Sequence, residues 1–443
     1  MRSVSVTADG LAPAGSASIS VERLRSSLLW LTGLSGAFVF IEPSPYEFAS
    51  LLAIVVFAAT GLSLRAGIMP LAFMLVLYNV GFSIAVIPVL DAPKTVTWVL
   101  TSWYLATTAV FFAALIAQEP DALAPLVRGT MVAAAVAALA AIVGYMQIVP
   151  ALSDLFLRYG RARGTFNDPN VLGAFLIFPM LVAMGRIFAG RRGTLGACVL
   201  LMVFSAALLL SFSRGAWGQV AFATLTLMAL SFLTSRSGNE RARILLFAAV
   251  GATALAGLVV LLLSFDSVAS LFAERFTLEQ GYDVGQFGRF GRHVLGALLS
   301  LDTPLGLGPL QFHTLFVEDP HNAFLNAFMS GGWLSGLTYA TLMLMTLALG
   351  LHYAFVATPW QATYLAIYCT FVGIFAESLI IDSEHWRHLY LIVGALWGLM
   401  LASRRYVETP RRRLSVEPPA LAPHRRPALS TEASERSAAR LAH

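Results

Sequence analysis

Charged residues are scarce in this sequence. Only 12% of its 443 residues are charged, whereas 58% are hydrophobic and the mean hydropathy is +0.75. A soluble domain carries roughly 25% charged residues, so this composition excludes an ordinary soluble protein. The apolar residues form runs of about 20, the length that crosses a bilayer core. We therefore predict an all-α, polytopic membrane protein whose surroundings are the lipid bilayer.

Cysteine and lysine are nearly absent as well. The two cysteines, Cys198 and Cys369, lie in separate apolar runs, which argues against a disulfide or a cysteine metal site. The sequence has no HExxH motif and no paired Cys/His spacing, so neither zinc nor another cofactor is expected. Lys94 is the single lysine, so every other basic residue behind the net charge of +5 is an arginine. Because no basic soluble domain is present, nucleic acid is not an expected partner.

The two ends of the chain lack the long apolar runs of the middle. Residues 1–25 contain no apolar stretch of the kind found in a cleaved signal peptide, and we predict a disordered cytoplasmic leader. Residues 404–443 are rich in Pro, Ala, Ser and Arg, a composition that predicts a disordered cytoplasmic tail. Residues 26–403 are predicted to form the membrane domain.

Twelve apolar segments divide this membrane domain. The predicted spans are 26–41, 45–64, 67–88, 95–117, 127–149, 170–189, 194–211, 215–234, 243–264, 323–350, 360–381 and 387–403. Arginine clusters precede the first span and follow the sixth, eighth and twelfth, so that twelve spans put all four clusters on one side. Cytoplasmic loops carry an excess of basic residues, and we assign that side, with both termini, to the cytoplasm.

The longest outer connector is the segment 265–322, between the ninth and tenth spans. It is too long and too polar to be a simple turn, and we expect it to fold as a cap on the outer membrane face. Its stretches 267–280 and 287–300 have the pattern of amphipathic helices that lie on a bilayer surface.

Arginines recur in the outer connectors, although topology selection normally keeps them in the cytoplasm. They are Arg158, Arg161, Arg163, Arg214, Arg275, Arg289 and Arg292. This distribution predicts that the outer face binds an anion. Simple surface charge is an equally good interpretation for Arg275, whereas the spacing of Arg289 and Arg292 puts both on one face of a helix and favours ligand binding.

The segment that opens the sixth span has the pattern of an anion site. Asp168 is a good N-cap residue and Pro169 suits a first helical turn. The free N–H groups of a helix N-terminus, beside Arg161 and Arg163, can hold an anion, and Asp168 and Asn170 are expected to support the site. The alternative is an ordinary capped helix whose arginines extend to lipid headgroups.

Arg214 stands in the tight connection between the seventh and eighth spans. Burial of arginine near a membrane is costly unless it is paired or binds an anion, and its fork of donors suits phosphate oxygens. The alternative is a salt bridge to an acid such as Glu377 or Asp382. Glu377 lies within an apolar run and is itself a candidate, either as a supporting site residue or as a structural ion-pair partner.

A histidine at the mouth of the tenth span is the candidate base. His321 is followed by Asn322 and preceded by Asp319, and a carboxylate at that distance could orient an imidazole that takes up a proton. His293 and His313 are weaker candidates. A histidine at a helix end is more often a cap, but the nearby arginines favour a functional role.

Together these motifs resemble the O-antigen ligase and polymerase superfamily of bacterial membrane glycosyltransferases. The resemblance rests on 163–170 (RGTFNDPN), 213–215 (SRG), 306–308 (GLG) and 321–325 (HNAFL), in that order and with the long outer loop before the histidine. It covers roughly residues 26–403. It implies twelve helices in a bacterial inner membrane, an active site that faces the periplasm and a glycan donor carried on undecaprenyl diphosphate.

The resemblance also implies roles for individual residues. Arg214, with one or both of Arg289 and Arg292, would neutralise the leaving diphosphate. His321 would take the proton of the acceptor hydroxyl as that oxygen attacks the anomeric carbon. The implied reaction is metal-independent, because arginines replace a cation, and it inverts the anomeric centre in a single displacement.

The acceptor stays open at this point. A polymerase would use the end of another lipid-linked repeat, a ligase would use lipid A-core, and a protein hydroxyl is a third acceptor. Ser335 stands three residues after Gly332, which departs from the pattern of the ligase branch. A chain-length regulator and a flippase are further possible partners. The alternative from another class is a transporter or flippase for a lipid-linked sugar, which should show charges or broken helices near the membrane midplane.

Overall fold

The computed structural model describes residues 15–190, 192–276, 288–316 and 318–415, which are helical almost throughout. The α-helices of these residues are α1 (Gly15–Ser35), α2 (Pro45–Ala59), α3 (Met69–Ala85), α4 (Thr95–Gln118), α5 (Leu123–Tyr145), α6 (Ser153–Phe156), α7 (Pro169–Ala189), α8 (Thr194–Leu210), α9 (Arg214–Thr234), α10 (Gly238–Leu263), α11 (Asp266–Phe276), α12 (Arg289–Asp302), α13 (Ala323–Ala354), α14 (Gln361–Glu377) and α15 (Arg387–Ser415). A two-stranded hairpin, β1 (Leu157–Arg158) and β2 (Arg161–Ala162), interrupts them.

Seven helical segments of the described residues are long and apolar enough to cross a membrane. They are Ala66–Ala85, Thr95–Gln118, Pro120–Tyr145, Pro169–Ala189, Arg214–Thr234, Gly238–Leu263 and Ala323–Ala354. The helices α2 and α8 are apolar but shorter. Several such helices in one chain indicate a polytopic, membrane-embedded protein, as predicted. The assignment of α1, α2, α8, α14 and α15 as further spans stays a prediction.

The helices differ in how much of their surface is buried, and some of them cross closely at small residues. In α7, 72% of the most apolar window is buried, against 11% in α10, so α7 is central and α10 peripheral. Gly33 of α1 and Gly129 of α5 allow close approach, because a Cβ on either would lie 2.9 Å from a backbone nitrogen of the other helix. Small residues at helix contacts are typical of membrane proteins, because helices in lipid associate through close packing and not through the hydrophobic effect.

The ends of the chain are more helical than the sequence predicted. Part of the predicted leader, from Gly15, belongs to α1, and Arg25 pairs with Glu119 at 2.7 Å while its guanidinium lies over the ring of Phe57. These contacts hold a segment that composition alone marked as disordered. The chain divides into a main unit, Met1–Ser403, and a terminal unit, Arg404–His443. Within the terminal unit α15 continues to Ser415, and Arg404 pairs with Glu408 one turn later.

The remainder of the predicted leader and tail, residues 1–14 and 416–443, lies outside the described residues, as does 277–287 of the outer loop. The side chain of Arg275 is outside them too. The described parts of this loop contain α11 and α12, close to the two predicted amphipathic stretches. α12 buries Gly296 against Phe312 and Leu325 of a small apolar cluster.

Helix α13 is broken at Gly332. Its φ of 69° and ψ of −168° are open to glycine but not to residues with a side chain. The backbone groups freed by the break bond to the preceding loop: Leu307 N donates to Met329 O at 2.6 Å, and Trp333 N donates to Pro304 O at 2.9 Å. The GLG motif thus lies against the break, and Gly306 fits there because a Cβ would come within 2.6 Å of Gly332 N.

Candidate functional site

A tight hairpin places the first arginine of the site. β1 and β2 pair Arg158 with Arg161 across a two-residue turn. Tyr159 and Gly160 of this turn both have positive φ, which lets the turn match the twist of the paired strands. The Arg161 guanidinium then donates through Nε to the carbonyl of Ser211, at 2.8 Å. The hairpin therefore connects the end of α8 to the segment before α7.

The start of α7 follows the predicted capping pattern. Asp168 is the N-cap, its carboxylate accepts the N–H of Asn170 at 2.8 Å, and Pro169 occupies the first turn. The Asn170 side-chain oxygen accepts a second bond from Arg161, also at 2.8 Å. Arg163 takes no part in this cluster, because its guanidinium donates to two carbonyls of α6.

The contacts of Arg163 explain why it differs from Arg161. Its Nε donates to Leu155 O at 3.2 Å and its terminal nitrogen to Asp154 O at 3.4 Å. Arg163 therefore holds the short helix α6 at its C-terminal end, where a helix leaves carbonyls without partners. These contacts are structural, and the contact of Arg163 with diphosphate stays a prediction.

The start of α9 places Arg214. Ser213 is the N-cap and accepts the N–H of Ala216 at 3.3 Å, and Phe212 before it has a positive φ of 47°. Arg214 is therefore in the first helical turn, where the helix dipole also favours an anion. Gly215 follows it and allows close packing, because a Cβ there would lie 2.8 Å from Oε1 of Glu377.

His321 has a strained backbone that one carboxylate holds in place. Its φ is 51°, an uncommon value for a residue with a side chain. Asp382 accepts the backbone N–H of His321 through Oδ2 at 3.2 Å and that of Asn322 through Oδ1 at 2.9 Å. The same Oδ2 lies 3.4 Å from Nδ1 of the His321 ring, and Glu318 Oε2 lies 3.9 Å from Nε2. The imidazole thus has a carboxylate beside each nitrogen.

Asn322 and Asp319 have structural positions next to this histidine. Asn322 is the N-cap of α13, and its side-chain oxygen accepts the N–H of Leu325 at 3.0 Å. Asp319 is not at the cavity described below; burial raises the pKa of its carboxyl, and the nearby Asp382 carboxylate raises that pKa further. Asn322 supports the turn that carries His321, and neither residue lines the cavity.

Helix α12 separates its two predicted arginines. Arg292 is 3% exposed, and its guanidinium donates to Glu318 Oε2 at 2.7 Å. His293, one residue later, contacts the carbonyl of Pro320 at 2.8 Å, and burial lowers the pKa of its imidazole. Arg292 therefore binds the segment that leads to His321 and does not line the cavity, and its contact with diphosphate stays a prediction. Arg289, one turn earlier, remains at the cavity.

The cavity itself has a volume of about 550 Å³. Seven of the eleven predicted site residues line it: Arg161, Asp168, Asn170, Arg214, Arg289, His321 and Glu377. They come from the hairpin, α7, α9, α12, α14 and the turn before α13. The remaining four, Arg163, Arg292, Asp319 and Asn322, do not line it. Guanidinium groups from three separate segments and one imidazole therefore share a single space, which suits an anionic ligand next to a proton acceptor.

Glu377 is buried in the wall of this cavity. Its exposed fraction is 2%, and neither carboxyl oxygen has a hydrogen-bond partner in the described part of the chain. No ion pair to Arg214 or to another described arginine engages it, so the predicted salt-bridge alternative does not hold for this carboxyl. Asp382, the other acid considered there, is occupied by the backbone of His321 and Asn322.

Sequence reasoning missed the partners of His321. Asp382 was weighed only as a possible partner of Arg214, and Glu318 was not considered. The pairing of Asp382 with His321 spans 61 positions of sequence, and no local spacing reveals it. The available signal is its position in the short connector after α14, two residues before Glu384. The aromatic part of the wall, from Phe212, Phe290 and Trp386, was missed too.

No group of three or more His, Cys, Asp or Glu residues that could hold a metal ion is found among the residues that the structure describes. A scan against protein-family models found no match for this chain, and a search of curated proteins found none either.

Proposed function

We propose that this chain is a membrane glycosyltransferase that moves a glycan from undecaprenyl diphosphate to an acceptor sugar hydroxyl. The observation that carries the proposal is the cavity in which Arg161, Arg214 and Arg289 meet His321. These residues lie far apart in sequence. The resemblance to the O-antigen ligase and polymerase superfamily implies roles for Arg214, His321 and one or both of Arg289 and Arg292, and Arg161 belongs to the predicted anion site at the start of α7. The function is proposed at the level of that superfamily.

The arginines fit the donor's leaving group. A diphosphate presents several anionic oxygens, and guanidinium groups bind such oxygens through paired, charge-assisted hydrogen bonds. Arg214 adds the N-terminal end of α9, whose dipole favours negative charge. In the proposed reaction these groups stabilise the charge that grows on the diphosphate as its bond to the sugar breaks.

His321 fits the role of base. With Nδ1 turned towards Asp382, Nε2 takes the proton of the acceptor hydroxyl. The acceptor oxygen forms a bond to the anomeric carbon, and the bond between that carbon and the diphosphate oxygen breaks with its electron pair going to the diphosphate. The products are the extended glycan, with an inverted anomeric centre, and undecaprenyl diphosphate.

The proposed setting is a bacterial inner membrane with twelve spans. Both termini then lie in the cytoplasm and the cavity opens to the periplasm, an arrangement supported by the four arginine clusters of the sequence. The acceptor is either another lipid-linked repeat, as for a polymerase, or lipid A-core, as for a ligase. A flippase that delivers the donor and a chain-length regulator are the corresponding partners.

The break in α13 is an observation that favours the alternative, a transporter of lipid-linked sugar. Broken helices in transporters line a path at the membrane midplane. Here the loop containing Gly306 and Leu307 packs on the break and takes up its hydrogen bonds. None of the residues at the break lines the cavity. The break thus supports the packing of the outer loop, and we keep transport as the second candidate.

Glycan analysis of a deletion strain tests the proposal. The strain is complemented with wild type, His321→Ala, Arg214→Ala or the control Gly185→Ala, which lies in α7 where a Cβ would meet nothing within 4 Å. Lipid-linked intermediates, core-linked glycan and polymer are separated by size. We expect the control to restore long glycans and both site variants to fail.

The accumulated intermediate identifies the reaction. Single lipid-linked repeats on the periplasmic face indicate a polymerase, and long lipid-linked chains beside bare lipid A-core indicate a ligase. Repeats trapped on the cytoplasmic face would contradict the glycosyltransferase and favour the transporter. Normal glycans from both site variants would remove His321 and Arg214 from the reaction.

A further inference from the structure

Glu377 is a buried carboxyl that faces the cavity without a partner. It ends α14, is 2% exposed and contributes to the cavity wall, yet neither of its oxygens accepts a hydrogen bond in the described part of the chain. A buried acceptor without a donor destabilises the folded protein, because the group has lost its hydrogen bonds to water and gained none in return. This unsatisfied carboxyl lies in the cavity wall, where a ligand could supply the missing donor.

We propose that Glu377 binds the sugar part of the substrate, by accepting hydrogen bonds from sugar hydroxyl or amide N–H groups. This inference rests on the proposed function and adds a sugar subsite to the diphosphate site. The chemistry of the group decides the class of ligand. A carboxyl with two open acceptor oxygens needs donors, and sugar hydroxyls supply them, whereas a diphosphate offers only further acceptors and negative charge.

The surroundings of Glu377 combine the start of α9 with an aromatic ring of the same cavity wall. Gly215 lies against Oε1, so that the carboxyl is seated on the start of α9, and any larger residue at position 215 would press on it. Trp386, 7% exposed, forms another part of the same cavity wall. An aromatic ring and a carboxyl together suit a sugar, which presents an apolar C–H face and polar hydroxyls.

A structural role for Glu377 would show itself differently. Structural carboxyls that are buried have an ion pair or hydrogen bonds, as Glu384 does, since Asn326 donates to one of its oxygens. Glu384 is 3% exposed and does not line the cavity. It is therefore a matched control: a second buried glutamate, seven positions later, that the proposal does not place in contact with substrate.

Binding measurements in nanodiscs test the proposal. The two probes are undecaprenyl diphosphate without sugar and the lipid-linked repeat extracted from the deletion strain. In Glu377→Met the affinity for the repeat is expected to fall by about tenfold or more. Affinity for sugar-free undecaprenyl diphosphate is expected to stay unchanged, because the proposal gives Glu377 no contact with the diphosphate. The melting temperature of the empty protein is expected to hold or rise.

Further variants keep the proposal open to contradiction. Glu377→Gln retains one acceptor oxygen and should lose less affinity for the repeat, whereas Glu384→Gln should change neither affinity. An equal loss of both affinities in the Glu377 variants, a lower melting temperature with unchanged selectivity, or unchanged binding of both probes would overturn the sugar subsite. Failure of the wild type to bind either probe would instead overturn the proposed function on which the subsite rests.

Discussion

At the scale of single residues, Asp382 is the group on which the geometry of His321 depends. One carboxylate accepts two successive backbone N–H groups and also faces the imidazole. Backbone strain of this kind persists only where neighbouring groups hold it. Asp382 therefore holds the positive φ of His321, and the position of the proposed base depends on this carboxylate.

Asp382→Asn tests this dependence. An amide oxygen can accept a hydrogen bond from one of the two backbone N–H groups, but the amide NH₂ would face the other as a second donor. We therefore expect the turn at His321 to relax. The turnover number should fall by about 100-fold or more, the scale of a misplaced general base, with a smaller change in KM for the lipid-linked donor. The control is Asp302→Asn, an exposed aspartate at the end of α12. A turnover number within twofold of wild type would contradict this account.

The pair of Arg292 and Glu318 is asymmetric. Arg292 is buried, whereas the Glu318 side chain is 49% exposed. Removing the glutamate leaves a buried charge without its partner, but removing the arginine leaves an acid that water can solvate. We expect Glu318→Gln to lower the free energy of unfolding by about 1–2 kcal/mol. The loss is smaller than for a fully buried pair, because solvent screens the exposed glutamate.

Arg292→Met is the matched comparison for this pair. It replaces the guanidinium with an apolar chain that fits the same buried path, and we expect it to destabilise less than Glu318→Gln. Thermal unfolding of both variants in the same detergent measures the difference. The reverse order of stabilities would show that Arg292 contributes through contacts other than its pairing with Glu318.

At the scale of elements, the break in α13 is the feature that positions the outer loop. Leu307 of the GLG segment donates to Met329 O, and Pro304 O just before that segment accepts the N–H of Trp333, so the loop bonds to backbone groups that a continuous helix would have kept for itself. Gly332 permits this through its backbone angles, and a Cβ there would lie 2.6 Å from the carbonyl carbon of Leu305. The break thus joins the loop that carries α12 to the helix that follows His321.

Gly332→Ala should separate these two elements. Strain at this backbone conformation costs about 1–3 kcal/mol, and the overlap with the loop adds to it. We expect a lower melting temperature and lost activity, whereas Gly185→Ala, with open space around its Cβ, should be neutral or slightly stabilising. Wild-type stability in Gly332→Ala would mean that the break does not hold the loop.

Hydropathy predicted where helices occur but not this break. The run 323–350 reads as one apolar helix, because glycines are tolerated in membrane helices and their backbone angles leave no trace in composition. The start of α7 was predictable in detail, since Asp168 and Pro169 are local capping signals. α12 was predictable from its amphipathic pattern, but the different partners of Arg289 and Arg292 were not, because Glu318 lies 26 positions away from Arg292.

At the scale of the whole molecule, the candidate site assembles from segments between positions 161 and 386. The cap residues and arginines could be chosen from the sequence because each lies at a connector. Their convergence, the carboxylate clamp on His321 and the open carboxyl of Glu377 depend on tertiary packing, which no local pattern encodes. A site of this kind requires that all its connectors lie on the same side of the membrane.

Cysteine labelling tests that requirement. In a Cys198→Ser background, where the remaining Cys369 is buried, single cysteines are introduced as Thr314→Cys in the outer loop and Ser237→Cys between α9 and α10. Both positions are exposed. A membrane-impermeant maleimide should label Thr314→Cys in intact spheroplasts and Ser237→Cys only after permeabilisation. The opposite pattern would invert the proposed orientation and remove the cavity from the periplasmic face.

The most direct test of the central claim is glycosyl transfer by the purified protein. Wild-type protein in liposomes receives the lipid-linked repeat from the deletion strain, and released undecaprenyl diphosphate and extended glycan are measured together. We predict equal amounts of both products, with a loss of about 100-fold or more in His321→Ala and Arg214→Ala. If the lipid-linked repeat crosses the bilayer without cleavage of its bond to the diphosphate, the protein is a transporter and the account is wrong.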